Sequence, residues 1–148
     1  MDFHPSYSQL LNAFHSERVR FLLVGGYALA MHGYVRHTID LDLWVEPTER
    51  NARAIEQACD SCGVILPPVA RSNLRSPSQL IRIGVPPVVI DLLTGISGLD
   101  FELCHPRRLI KRVGGIEIPT LCLSDLRTGK KASGRLQDLA DLEKLPEA

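Results

Sequence analysis

The chain has 148 residues, of which 45% are hydrophobic and 23% charged, and its 17 Lys and Arg balance 17 Asp and Glu at a pI near 7.0. That size fits one domain, here residues 1–148, and the neutral balance argues against a general nucleic-acid binder, which carries a basic excess. The longest apolar stretch, residues 21–31, is far short of the roughly 20 residues that cross a bilayer, and the polar start lacks the order of a signal peptide, so a cytoplasmic protein without a membrane partner is expected.

The first helical pattern covers residues 6–17, where Tyr7, Leu10, Leu11 and Phe14 recur at helical spacing behind Pro5. A continuous apolar run, 19–24, reads as a buried strand that ends in the turn Gly25-Gly26. A short Ala-rich helix, 27–32, follows the turn and stops at Gly33. Residues 38–45, Thr-Ile-Asp-Leu-Asp-Leu-Trp-Val, alternate and predict a second strand. A helix from about 47 to 62 carries Ala52, Ile55 and Ala58 on its inner side. Strands are predicted over 79–85 and 88–94 around Pro86-Pro87, since Pro cannot donate to a ladder. Residues 107–113 and 116–121 flank Gly114-Gly115 as a hairpin. Ser124 is the predicted cap of a helix to about 132, with Asp125 in its first turn, and a last helix spans about 136–145. This order predicts an α/β (α+β) fold, a small mixed sheet flanked by helices, with a core over about 19–95 and a C-terminal hairpin and helices over about 105–146.

Cys59 and Cys62 form one C-x-x-C pair, but Cys104 and Cys122 supply no second pair at zinc spacing, so reduced cysteines are expected. His32 and His37 lack metal-ligand partners at useful spacing. The basic run Arg107, Arg108, Lys111 and Arg112 alternates on a predicted strand. It reads as a solvated face or as a guide for an anionic acceptor such as RNA.

Asp40 and Asp42 lie two apart on a strand, so both carboxylates project from one face while Ile39, Leu41 and Leu43 turn to the core. Like charges that close repel, and a divalent cation between the oxygens relieves them. Asp91 stands in the apolar run Val88-Val89-Ile90-Asp91-Leu92-Leu93, where an isolated carboxylate is costly unless paired or metal-bound. If the two strands are neighbours, three acids converge. Gly25-Gly26 joins a buried strand to a helix and can bring backbone N–H groups close to a phosphate.

With thirteen residues between Gly26 and Asp40, this order of strand, Gly-Gly, Asp-x-Asp strand and later acid resembles the nucleotidyltransferase superfamily related to DNA polymerase β. Arg36-His-Thr38-Ile-Asp40-Leu-Asp42 and Lys130 followed by Arg135, Asp138 and Asp141 are similar to the minimal nucleotidyltransferases of the AbiEii/MenT toxin-like group, without the large extra helical domain of the longer toxins. The resemblance implies a nucleotidyltransferase fold and transfer of an NMP from an NTP to a hydroxyl acceptor, RNA (tRNA) or a partner protein, in a toxin–antitoxin setting. It implies a two-metal site for Mg²⁺, with Mn²⁺ as an alternative, on Asp40, Asp42 and Asp91. Asp91 would hold the second ion and take the proton of the attacking hydroxyl. Gly25, Gly26, Arg36 and Lys130 would contact the nucleotide phosphates. Arg135 and Asp138, three apart on a helix, are expected to pair and to fix the last helices near the site. The competing readings are an inactive binding module, such as an antitoxin partner, and a metal-dependent phosphohydrolase on the same acids.

Overall fold

A computed structural model describes residues 3–35, 38 and 40–147. In chain order the elements are α1 (Pro5–Ser16), β1 (Phe21–Val24), α2 (Gly25–Met31), β2 (Asp40–Val45), α3 (Glu49–Ser61), α4 (Ala70–Asn73), β3 (Leu80–Val85), β4 (Val88–Leu93), α5 (Phe101–Cys104), a 3₁₀ turn (His105–Arg107), β5 (Leu109–Val113), β6 (Ile116–Thr120), α6 (Leu123–Ser133) and α7 (Leu136–Lys144). The strands form one six-stranded mixed sheet in the order β3-β4-β2-β1-β6-β5. This is the expected α/β architecture. The C-terminal hairpin extends the sheet, because β6 runs parallel to β1 and the Leu121 N–H donates to Leu23 O at 3.1 Å.

Local chemistry explains most boundaries. His4 Nδ1 accepts the Ser6 N–H at 3.1 Å and Pro5 opens α1, whose buried Tyr7, Leu10, Leu11 and Phe14 form its core stripe. Thr48 caps α3 by accepting the Asn51 N–H at 3.2 Å. Asn51 is fully buried and ties α3 to the sheet: its Oδ1 takes the Arg20 N–H at 2.7 Å, and its Nδ2 donates to Arg20 O and Glu46 O, both at 2.9 Å. In the β5–β6 turn Gly114 and Gly115 have φ of 57° and 82°, the left-handed pair that a tight two-residue hairpin needs.

Three details differ from the sequence expectation. The helix after the glycine turn begins at Gly25 itself. Cys122, extended at φ −70° and ψ 160°, takes the cap position of α6, so Ser124 sits inside the first turn. The short α4, α5 and 3₁₀ turn carry too few residues to show a periodicity.

The sheet register sorts the side chains. On one face Ile83, Ile90 and Leu41 stand in one row and Ile81, Leu92 and Leu43 in the next, all buried. Each such side chain stabilises the fold by roughly 1.5–3 kcal/mol. Arg82, Asp91 and Asp42 form the intervening row, which the pleat turns to the opposite face. Tyr7 reaches across from α1: its hydroxyl accepts the Val89 N–H at 3.1 Å and donates to Val89 O at 3.0 Å, anchoring β4 two residues before Asp91.

Candidate active site

Parallel pairing of β2 with β4 places Asp42 directly beside Asp91. One carboxylate oxygen from each of Asp40, Asp42 and Asp91 lies within 4.8 Å of the other two. The predicted convergence of the three acids is therefore present. The site lines a cleft of about 870 Å³ together with Gly25, Gly26, Thr38, Lys130 and Arg135. Ile96, Leu99, Leu121 and Leu126 add aliphatic lining to the cleft.

The glycine turn packs against this cluster. Gly25 has φ 69°, and a Cβ there would overlap Asp42 Oδ2. A Cβ at Gly26 would overlap Thr38. Glycine is thus required at position 25 for backbone conformation and for space.

The electrostatics are unbalanced. Asp91 is only 5% exposed. Burial raises the pKa of Asp40, repulsion from Asp91 adds to that, and Arg82 offsets part of it. Asp40 Oδ1 is buried and accepts no hydrogen bond from the described residues. An orphan oxygen beside two further carboxylates is an all-oxygen donor set, which suits a hard divalent cation such as Mg²⁺.

Lys130 lines the same cleft but its ammonium is engaged, 2.8 Å from Asp141 Oδ2 and 3.3 Å from Asp138 Oδ1. Arg135 Nε pairs with Asp138 at 2.8 Å, the predicted i,i+3 ion pair. Ser133 also donates to Asp138, and Gln137 donates to Asp141 at 2.9 Å. The bonds from Lys130 and Ser133 hold α6 to α7. Arg36 and His37 lie outside the described residues. His32 Nε2 bonds Leu121 O at 2.9 Å and joins no metal cluster among the described residues. In the basic run, Arg107 and Arg108 precede β5. Arg107 is held by Asp125 at 2.8 Å and Arg112 by Glu117 at 2.7 Å. The four cysteines are free thiols.

Sequence reasoning missed Arg82, which meets both Asp91 and Asp40. The signal was available. Counting outward from the Pro86-Pro87 turn pairs Val85 with Val88 and Arg82 with Asp91.

No family model and no curated protein matches the chain. Solved structures do. TM1012 from Thermotoga maritima, a candidate nucleotidyltransferase, superposes with a TM-score of 0.63 at 17% identity, over 97% of this chain and 94% of that one. The lincosamide antibiotic adenylyltransferase LnuA, bound to lincomycin, gives 0.60 at 12% identity over 96% and 95%. The antibiotic-resistance factor ANT(2″)-Ia gives 0.59 at 9% identity over 93% and 78%. The chain has the nucleotidyltransferase fold. No described helix is long and apolar enough to cross a membrane.

Proposed function

We propose that this chain is a divalent-metal-dependent nucleotidyltransferase that moves an NMP from an NTP to a hydroxyl acceptor. The observation that carries the reading is the convergence of Asp40, Asp42 and Asp91 within 4.8 Å, on a fold shared with an adenylyltransferase and against a glycine turn that tolerates no side chain. Asp40 and Asp42 would hold the ion that carries the triphosphate, Asp91 would hold the second, catalytic ion, and Asp40 and Asp42 would touch that ion as well. Mg²⁺ is the expected ion, with Mn²⁺ as a substitute. Bound there, two such ions stabilise the attacking and leaving oxygens of an in-line displacement.

The chain's own groups supply the rest. The backbone at Gly25 and Gly26 cradles the β- and γ-phosphates, and Arg36 clamps a phosphate from the segment before β2. Asp91 accepts the proton of the attacking hydroxyl. Lys130 lines the phosphate side of the cleft, though its bonds to Asp138 and Asp141 have to yield before its ammonium can reach a nucleotide.

For the acceptor, the toxin-like resemblance favours RNA, tRNA in particular, or a partner protein in a toxin–antitoxin pair. A second reading, a small hydroxylated molecule, is favoured by two observations. Arg107 and Arg112 are neutralised by Asp125 and Glu117 rather than offered to a polyanion. ANT(2″)-Ia has also been solved with adenylyl-2″-tobramycin.

The test is incubation with α-labelled NTPs and Mg²⁺ in the presence of tRNA, whole-cell protein, a lincosamide or an aminoglycoside. Label in one acceptor with release of pyrophosphate supports transfer and identifies the acceptor class. Release of inorganic phosphate alone points to a phosphohydrolase. Absence of metal-dependent NTP binding by calorimetry points to an inactive module.

A further inference from the structure

Arg82 has no role in the chemistry above, yet it is bonded to two acids of the triad, Asp40 and Asp91. It stands on β3 opposite Asp91. Its Nε donates to Asp91 Oδ1 at 2.9 Å and its Nη2 to Asp91 Oδ2 at 3.0 Å, a two-point fork. The same Nη2 donates to Asp40 Oδ2 at 3.0 Å.

We propose that Arg82 is a built-in competitor for the divalent cation: its guanidinium bridges Asp40 and Asp91 until a metal ion takes those oxygens, and then withdraws. This inference rests on the metal-site reading. Nη2 lies within hydrogen-bond distance of one oxygen from each acid, so it stands where a cation shared by both carboxylates would sit. A divalent ion binds such oxygens at roughly 2.0–2.6 Å, which leaves no room for a second positive group between them. Guanidinium cannot shed its charge by losing a proton, so it resolves the conflict only by moving. Movement is open to it. The Arg82 side chain is 55% exposed, whereas Asp91 beneath it is 7% exposed and fixed on β4. Its departure uncovers no apolar core, because Ile81 and Ile83 on either side turn to the opposite face. In the metal-free protein the same contacts neutralise part of the repulsion between Asp40 and Asp91.

The competition is read directly by calorimetry with Mn²⁺ as the probe, without nucleotide, on the full chain. Arg82→Met keeps the stem and removes the charge, and it should bind Mn²⁺ roughly tenfold more tightly than the wild type, with Arg82→Lys in between. Equal or weaker binding by Arg82→Met would overturn the proposal, since a residue that supports the site loses affinity when removed. A second measurement needs no folded variant. The ¹⁵N-labelled Nε–H resonance of Arg82 in the wild type, protected by its carboxylate bonds, should shift and exchange rapidly with water at saturating Mg²⁺. A signal that stays unchanged would sink the idea. If the wild type binds no Mn²⁺, or Asp42→Asn binds it equally well, the metal-site reading fails and this inference with it.

Discussion

Two clusters of acids face the same cleft, and they are built on opposite principles. On the sheet, Asp40 and Asp91 share Arg82, and among the described residues the buried Asp40 Oδ1 has no hydrogen bond. On the helices, Asp138 and Asp141 are served by Lys130, Arg135, Ser133 and Gln137. Burial pushes the carboxyl pKa upward in both places. At Asp40 repulsion from Asp91 adds to burial and outweighs Arg82, so the group ends above its ordinary range. At Asp138 the bonds from Ser133 and Arg135, helped by Lys130, overcome burial and hold it below. A satisfied acidic cluster ties secondary structure together. An under-satisfied one remains available to a cation.

The sharpest division between the two is chemical. Asp42→Ala should abolish metal-dependent NTP binding and lower transfer by at least about a thousandfold, more than the roughly 10–100-fold typical of a residue that only supports a ligand. Incorporation of labelled NMP measures it, and an unchanged circular-dichroism melt shows that the loss is not unfolding. Residual transfer near wild-type level would place the chemistry elsewhere.

The helical cluster should fail the other way. Lys130 is 11% exposed and Asp141 fully buried, so Lys130→Ala removes the ammonium that bridges Asp141 and Asp138 and leaves their interior charges less compensated. The expected cost is about 3–5 kcal/mol of stability, read from the urea midpoint at pH 7. Lys130→Arg should recover much of it. If Lys130→Ala instead leaves the midpoint in place and raises only the KM for NTP, the ammonium belongs to the nucleotide and the contrast between the clusters breaks.

Gly25→Ala probes how tightly the turn and the triad are packed. A methyl group there would overlap Asp42 Oδ2 in a backbone already at φ 69°. Displacing a reacting geometry by about 1 Å costs on the order of a hundredfold, so transfer should fall by about that factor. Mn²⁺ affinity should weaken with it, because the displaced group is a proposed ligand. Activity within a few-fold of wild type would show that the turn gives way more readily than the packing implies.

Much of this arrangement was legible in the sequence. Alternation in β2 put Asp40 and Asp42 on one face, and the apolar run of β4 made Asp91 conspicuous, because local patterns report which side of a strand faces the core. The pairing of β2 with β4 was a conditional step, since strand adjacency is a tertiary property that periodicity does not encode. Arg82 was overlooked for a related reason: an alternating Arg on an edge strand reads as solvated until the hairpin register sets it opposite Asp91. The Lys130 environment was hidden by distance along the chain. Its partners lie eight and eleven residues away on the next helix, beyond any helical spacing rule. Ser124 satisfied the pattern of a cap, but the extended Cys122 reached the helix start first, and boundaries of this kind shift by a residue or two.

The smallest effects are also the most diagnostic, because the two clusters predict opposite signs. Asp138→Asn removes charge from bonds that favour the ionised form and should cost about 2 kcal/mol at pH 7. Asp40→Asn removes a charge that folding disfavours and should stabilise the metal-free protein. The pH dependence follows from the directions of the shifts. Asp138 has a folded pKa below its ordinary 3.8, so its contribution is complete above 3.8 and disappears as pH falls through the folded value. Asp40 has a folded pKa above 3.8, so its penalty is complete above that raised value and vanishes as pH falls towards 3.8. The gain from Asp40→Asn should therefore fade at a higher pH than the loss from Asp138→Asn. Saturating Mg²⁺ should reverse the sign for Asp40→Asn alone, since a bound ion converts its costly charge into a ligand. Urea titrations from pH 3 to 7, with and without Mg²⁺, separate the cases, and the same sign for both variants in metal-free buffer would erase the distinction between the clusters.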